Sequence, residues 1–151
     1  MLRSKASTYA ILAVVEIAKR EHEGVGGVQA GEIARHLNLP AAYMAKVMTR
    51  LARAGILRSD RGPRGGFRLA RPAEELNLLE VVEAVDRLFD TDARSLDGVE
   101  VRRTLENVNR IFERAADQVR MLLRQETIAD FVSRSEPLSG GSVRADIAVT
   151  A

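Results

Sequence analysis

The 151-residue chain has no cysteine and no tryptophan. Without a thiol it has no disulfide, no thiolate nucleophile, and no Cys-held zinc or iron–sulfur cluster. Aromatic residues make up only 4% of it, which weakens any reading that needs a platform on which bases or sugars stack. Long apolar runs are missing as well. The longest stretch, Tyr9 to Ala18, is broken by Glu16 and ends in Lys19-Arg20-Glu21, well short of the roughly 18 residues that cross a bilayer. Arg3 and Lys5 ahead of it give a superficial signal-peptide look. The internal acid and the lack of a small-x-small cleavage site argue against that, so a soluble, cytoplasmic protein without membrane contact is expected.

Sites of other kinds are equally thin. His22 and His36 have no partner at metal-ligand spacing and read as surface or packing residues. Asp90, Asp92 and Asp97 miss the EF-hand pattern. The Arg61–Gly66 loop lacks the Lys-Ser/Thr of a phosphate-binding loop. No nucleophile–base set is argued by spacing, so neither an enzyme nor a cofactor is expected.

What the chain does have is charge in blocks. Hydrophobic residues make up 46% and charged residues 29%, enough for one packed domain with an extended appendage. The net charge of +2 hides a strong asymmetry. Lys46 to Arg71 holds eight bases against Asp60 alone, a surplus of +7. Glu74 to Glu100 holds nine acids against Arg87 and Arg94, a balance of −7. A concentrated positive field attracts phosphate backbones, although charge by itself also fits a merely solvated face.

Local patterning separates those readings. Residues 8–21 read as a helix, apolar almost all round and so expected between layers. GEIARHL (31–37) is a short helix ended by Asn38-Leu39-Pro40, and the helix from Ala41 puts Met44, Val47, Met48 and Leu51 on one face before Gly55 stops it. Two short helices across a tight turn, the second with a basic outer face, form a helix-turn-helix. Ile56–Asp60 and Phe67–Leu69 then flank a Gly-Pro/Gly-Gly turn, a hairpin placed as a wing, whose glycines suit close approach to a groove.

Asn77 and Glu80 make a capping box for a helix over 78–88, followed by an acidic loop at 90–98. Val101, Leu105, Val108, Phe112, Ala115, Val119 and Leu122 alternate at spacings of four and three, a heptad seam. So long a stripe points to a second subunit. Residues 127–132 suggest a further short helix, and the Ser/Gly/Pro-containing tail from Arg134 is expected to be disordered. The expected fold is mainly α with a small β-wing. A winged helix-turn-helix over 1–75 is joined to a linker helix and long dimerisation helix over 76–133, with a tail over 134–151.

The stretches SKASTYAILAVVEIA (4–18), GEIARHLNLPAAYMAKVMTRLARAGILRS (31–59) and RGPRGGFRLARPAEELNLLEVVEAVD (61–86) resemble the Rrf2 family of bacterial winged-helix transcriptional regulators. TIADFV (127–132) matches the segment after that family's long helix, and Arg-Gly-Pro-x-Gly-Gly-aromatic is the most specific element. The resemblance implies a homodimer on a palindromic double-stranded operator. Ala41, Ala42, Tyr43, Ala45 and Lys46 would form the front of the recognition helix in the major groove. Arg61 would be the wing arginine, with Gly62, Pro63, Arg64, Gly65 and Gly66 completing the wing at the minor groove. Tyr43, Lys46 and Arg50 are candidate base or phosphate contacts, and Arg61 and Arg64 are candidates on the wing.

The departures are as informative. Cluster-holding members use three cysteines in the stretch here at about 88–104, which has none. Thr8 stands where some relatives recruit a fourth ligand, and Ala45 where a relative has an acid, which implies a different or looser base preference. The resulting expectation is a sequence-specific repressor that is not an iron–sulfur sensor, with room for a small-molecule or protein effector. The alternative is an interaction module working through the heptad helix after loss of DNA binding.

Overall fold

The computed structural model describes residues 4–62, 65–86 and 99–135, with side chains of 99–105 and 135 outside the description. Six α-helices and one hairpin are described: α1 (Lys5–His22), α2 (Ala30–His36), α3 (Ala41–Arg53), β1 (Leu57–Asp60), β2 (Gly66–Leu69), a 3-10 turn (Ala73–Glu75), α4 (Leu78–Val85), α5 (Val99–Gln125) and α6 (Ile128–Ser135). The fold is mainly α with a small wing, as the patterning predicts.

Helix α1 starts at Ser4, whose Oγ accepts from the Ser7 N–H at 3.1 Å, and its last turn carries Lys19 and Arg20, cations suited to the negative end of the helix. It is not apolar-contacted all round. Ala10, Ala13, Val14, Ile17 and Ala18 are buried, but Leu12 is 40% exposed and Ile11 and Val15 are half-buried. Helices α3, α4 and α6 and strand β2 pack against α1, and the expected all-round contact is incomplete only at Leu12.

Between α2 and α3 the chain turns at Asn38, which has a positive φ of 53°, while the Leu39 N–H returns to the Ala34 carbonyl at 2.8 Å. Asn tolerates this left-handed conformation, and Pro40 then serves as the N-cap of α3 without needing a donor. Ile33 from α2 and Met44, Val47, Met48 and Leu51 from α3 meet Ile17, Leu76, Val81 and Ile128 in one core. Full burial of such a side chain contributes roughly 1.5–3 kcal/mol.

The Asn77–Glu80 capping box forms as the sequence indicates, with bonds of 3.0 and 3.1 Å. Helix α4 nevertheless ends at Val85 rather than at Leu88, because Asp86 adopts extended backbone and its Oδ2 accepts from Ser7 Oγ at 3.2 Å. The expected acidic loop at 90–98 lies outside the described residues. Helix α6 opens on a second box: Asp130 Oδ2 accepts from the Thr127 N–H at 2.9 Å and Thr127 Oγ1 accepts from the Asp130 N–H at 3.2 Å. The backbone bond from Thr127 is the leading cause that holds the Asp130 carboxyl below its usual range, with the Thr127 hydroxyl second. Arg134 and Ser135, assigned to a tail by composition, belong to α6. Arg134 lies over the Phe131 ring at 5.7 Å and pairs with Glu126 at 2.8 Å, which carries the helix one turn further. Residues 136–151 lie outside the description.

Candidate nucleic-acid interface

Helix α3 turns about 100° per residue, so burial of Met44, Val47, Met48 and Leu51 sends Ala42, Tyr43, Ala45, Lys46, Thr49, Arg50 and Arg53 outward. Ala41 is exposed as well. Tyr43 is 38% exposed, its ring held edge-on against Tyr9 of α1 at 5.4 Å. The arrangement fixes the ring direction and leaves part of it at the surface.

The basic block resolves into paired and unpaired cations. Arg68 pairs with Asp60 at 3.2 Å, which offsets the like charge of Arg58 directly opposite it in the hairpin. Arg71 reaches Glu80 at 2.6 Å. Burial pushes the Glu80 carboxyl up, but the Arg71 hydrogen bond, the Asn77 N–H and the Arg71 charge together outweigh it, and its pKa lies below the usual value. Arg50 Nη1 donates to the Val85 carbonyl at 2.9 Å. Lys46, Arg53, Arg58 and Arg61 are exposed and make no hydrogen bond or ion pair among the described residues. The free positive charge therefore lies on the outer face of α3 and on the wing.

The hairpin is more than a two-residue-wide loop on its own. Val28 and Phe67 exchange backbone hydrogen bonds of 3.0 and 2.8 Å, adding a third short segment to the sheet. Gln29 Nε2 donates to the Gly65 carbonyl at 2.9 Å, and Glu21 Oε1 accepts the Leu69 N–H at 2.9 Å. The wing is thus tied to α1 and to the entry of α2.

This arrangement corrects the role read for two glycines. Gly65 and Gly66 are buried, and they face the protein rather than a groove. A Cβ on Gly66 would stand 2.7 Å from the Val28 nitrogen, and one on Gly65 would stand 2.3 Å from the Asp60 carbonyl oxygen. Gly66 also has a φ of +143°, which L side chains rarely adopt. Gly62 at +118° faces open space and, with Arg61, remains at the exposed tip. Pro63 and Arg64 lie outside the described residues.

Sequence reasoning missed Glu21, Gln29 and Gly27 as the wing's anchors. The Gly26-Gly27 pair was the available signal, since a Cβ on Gly27 would stand 3.0 Å from the Gly66 nitrogen.

Helix α5 meets the rest of the chain along one edge, where Ala116 is buried, Leu123 is half-buried and Arg120 reaches Glu83 at 3.9 Å. The heptad stripe lies about 90° around the helix from that edge. Along it Val108, Phe112, Ala115 and Leu122 are exposed and Val119 is half-buried, while the Val101 and Leu105 side chains lie outside the description. Ile111, which the heptad reading omitted, extends the stripe. Ile111, Phe112 and Leu122 are 68%, 58% and 63% exposed.

Among the described residues no helix is long and apolar enough to cross a membrane. No group of three or more His, Cys, Asp or Glu side chains among them is placed to hold a metal ion.

A family profile for Rrf2, described as an iron-dependent transcriptional regulator, matches residues 3–134. The HTH-type transcriptional regulator IscR of Cereibacter sphaeroides is 31% identical over 135 residues, covering 87% of each chain. IscR of Erwinia tasmaniensis is 28% identical over 132 residues, covering 86% of this chain and 78% of its own. Among solved structures, CymR, the global cysteine regulator of B. subtilis, superposes with a TM-score of 0.68 at 25% identity, over 90% of this chain and all of its own. T. potens IscR gives a TM-score of 0.70 at 20% identity, over 95% and 94%. These relatives are transcriptional regulators, and the wing and helix-turn-helix described above are the DNA-binding fold they share.

Proposed function

The chain belongs to the Rrf2 family of transcriptional regulators, and from that premise we propose that it is a homodimeric repressor that reads a palindromic operator. The observation that carries this reading is the placement of the unpaired cations Lys46, Arg58 and Arg61 on the outer face of α3 and the anchored wing. In each subunit the front of α3, with Ala41, Ala42, Tyr43, Ala45 and Lys46, enters the major groove. Arg61 and Gly62, together with Pro63 and Arg64, approach the adjacent minor groove. Tyr43 donates to a phosphate, and Lys46 reaches a guanine edge or a phosphate.

The working division is a reading head over 1–75 and a linker and dimerisation unit over 76–133. The stripe of α5, with Val101 and Leu105 at its start, packs against that of a second copy. Two heads on one axis then address half-sites a helical turn apart. Repression by occupancy of a promoter requires no surface beyond these two.

The family's cluster chemistry does not fit this chain. A thiolate-held iron–sulfur cluster needs cysteine donors, and the sequence supplies none. Any small-molecule or protein effector would act by favouring one spacing of the two heads over another.

The test is fluorescence anisotropy on a palindromic duplex selected by the protein from a random-sequence library, with a scrambled competitor. Arg61→Glu and Lys46→Glu are expected to abolish selective binding while leaving the sedimenting species unchanged. Selective binding that survives both substitutions overturns the contact assignment. If the protein selects no sequence even at low salt, the exposed α5 stripe makes a protein-interaction module the better reading.

A further inference from the structure

We propose that Arg50, a DNA-contact candidate by position, instead acts as the positioning residue that fixes the recognition helix to the end of α4 and so sets the tilt of each reading head. The proposal rests on the DNA-binding reading above.

Arg50 Nη1 donates to the Val85 carbonyl at 2.9 Å. Helix α4 ends at Val85, so that carbonyl belongs to the last turn, which lacks intrahelical donors. The guanidinium also meets the negative end of the α4 dipole. One residue on, Asp86 accepts from Ser7 Oγ of α1 at 3.2 Å. Helices α1, α3 and α4 thus converge on Val85-Asp86, the last described residues before the chain passes through 87–98 to α5. Helix α4 also touches α5 directly, through Glu83 and Arg120.

The electrostatic setting separates Arg50 from Lys46. Arg50 and Arg53 line an open groove of about 620 Å³ whose opposite wall carries Glu83 and Asp86. Two bases facing two acids give phosphate little net attraction. Lys46, one turn nearer the start of α3, makes no ion pair among the described residues. Arg50 is therefore occupied by the fold, whereas Lys46 is free for DNA.

The experiment measures the affinity of wild type, Arg50→Gln, Arg50→Lys and Lys46→Gln across a salt series. The probes are the library-selected duplex and two derivatives whose half-sites are moved one base pair closer or farther apart. A phosphate contact adds about 0.9 to the slope of log K against log salt, so Lys46→Gln is expected to flatten it by about two per dimer. Arg50→Gln is expected to keep the wild-type slope, lose about tenfold in affinity for the selected duplex, and discriminate less between spacings. Arg50→Lys keeps a donor for the carbonyl and is expected to restore both affinity and spacing preference to within about threefold.

A slope flattened by Arg50→Gln as much as by Lys46→Gln makes Arg50 a phosphate ligand and overturns the proposal. An unchanged affinity and spacing preference overturns it too, as does failure of Lys to rescue. If wild type selects no duplex at all, the DNA-binding reading has failed first, and the proposal falls with it.

Discussion

Helices α3 and α5 are both amphipathic, both carry cations, and bury their apolar sides very differently. Met44, Val47, Met48 and Leu51 of α3 are closed into the core, whereas Ile111, Phe112 and Leu122 of α5 remain in the open. The difference lies in reach. The 13-residue α3 is about 20 Å long and fits beneath α1 and α4. The 27-residue α5 is about 40 Å long, more than a small domain is wide, so the fold covers only one edge of it. An amphipathic pattern therefore specifies that a seam exists. Which molecule closes it depends on what lies within reach.

The same substitution on each helix is the strongest way to break this comparison. Leu51→Ala is expected to cost about 2–5 kcal/mol in urea unfolding, independent of protein concentration. On the proposed dimer, Leu122→Ala acts through association, so its deficit is expected to grow with protein concentration as the wild-type Tm rises. A concentration-independent loss at Leu122 places the α5 stripe within its own chain.

A second contrast sharpens the picture inside the closed head. Gly66→Ala combines a positive φ with a Cβ 2.7 Å from the Val28 nitrogen, and is expected to cost about 2–4 kcal/mol. Gly62→Ala shares the positive φ but meets nothing within 4 Å, and is expected to cost about 1 kcal/mol. Equal losses in chemical denaturation would show that backbone conformation, not packing against residues 27–28, constrains the wing.

The smallest effect concerns Glu80. Its folded pKa lies below the ordinary value, so its contribution is present above the unfolded pKa and is lost as pH falls through the folded one. Glu80→Gln keeps a capping side chain but removes the charge facing Arg71. It is expected to destabilise by roughly 0.5–1 kcal/mol at neutral pH, modest because the pair is partly exposed. Wild type and variant are expected to converge once the pH has fallen through the folded pKa, because the native carboxyl is then protonated. A deficit that persists in acid assigns the effect to packing instead.

The helix starts, the tight turn and the hairpin were legible because each depends on residues close in sequence. Asn77 with Glu80 and Asn38 before Pro40 are examples. The role of Gly66 was not, because what it avoids is the backbone of residues 27–28, nearly 40 positions away, whereas Gly65 avoids the backbone of its own turn at residues 60–62. The target of Arg50 was hidden for the same reason. Ile111 was lost to a strict four-three count, although a face more than two positions wide per heptad would have included it. Arg134 and Ser135 were assigned by the composition that follows them, although Thr127 and Asp130 already announced the helix they complete.

The bridge between Val28 and Phe67 has a further consequence. It joins the base of the wing to the segment that leads into the helix-turn-helix, so β2 and the start of α2 are tied together. On the proposed binding mode, an operator half-site with one extra base pair between its major-groove and minor-groove elements cannot be followed by bending the protein. Each half-site is then gauged by its internal length as well as by its bases. On that mode, variation among operators is expected in the gap between half-sites rather than within them.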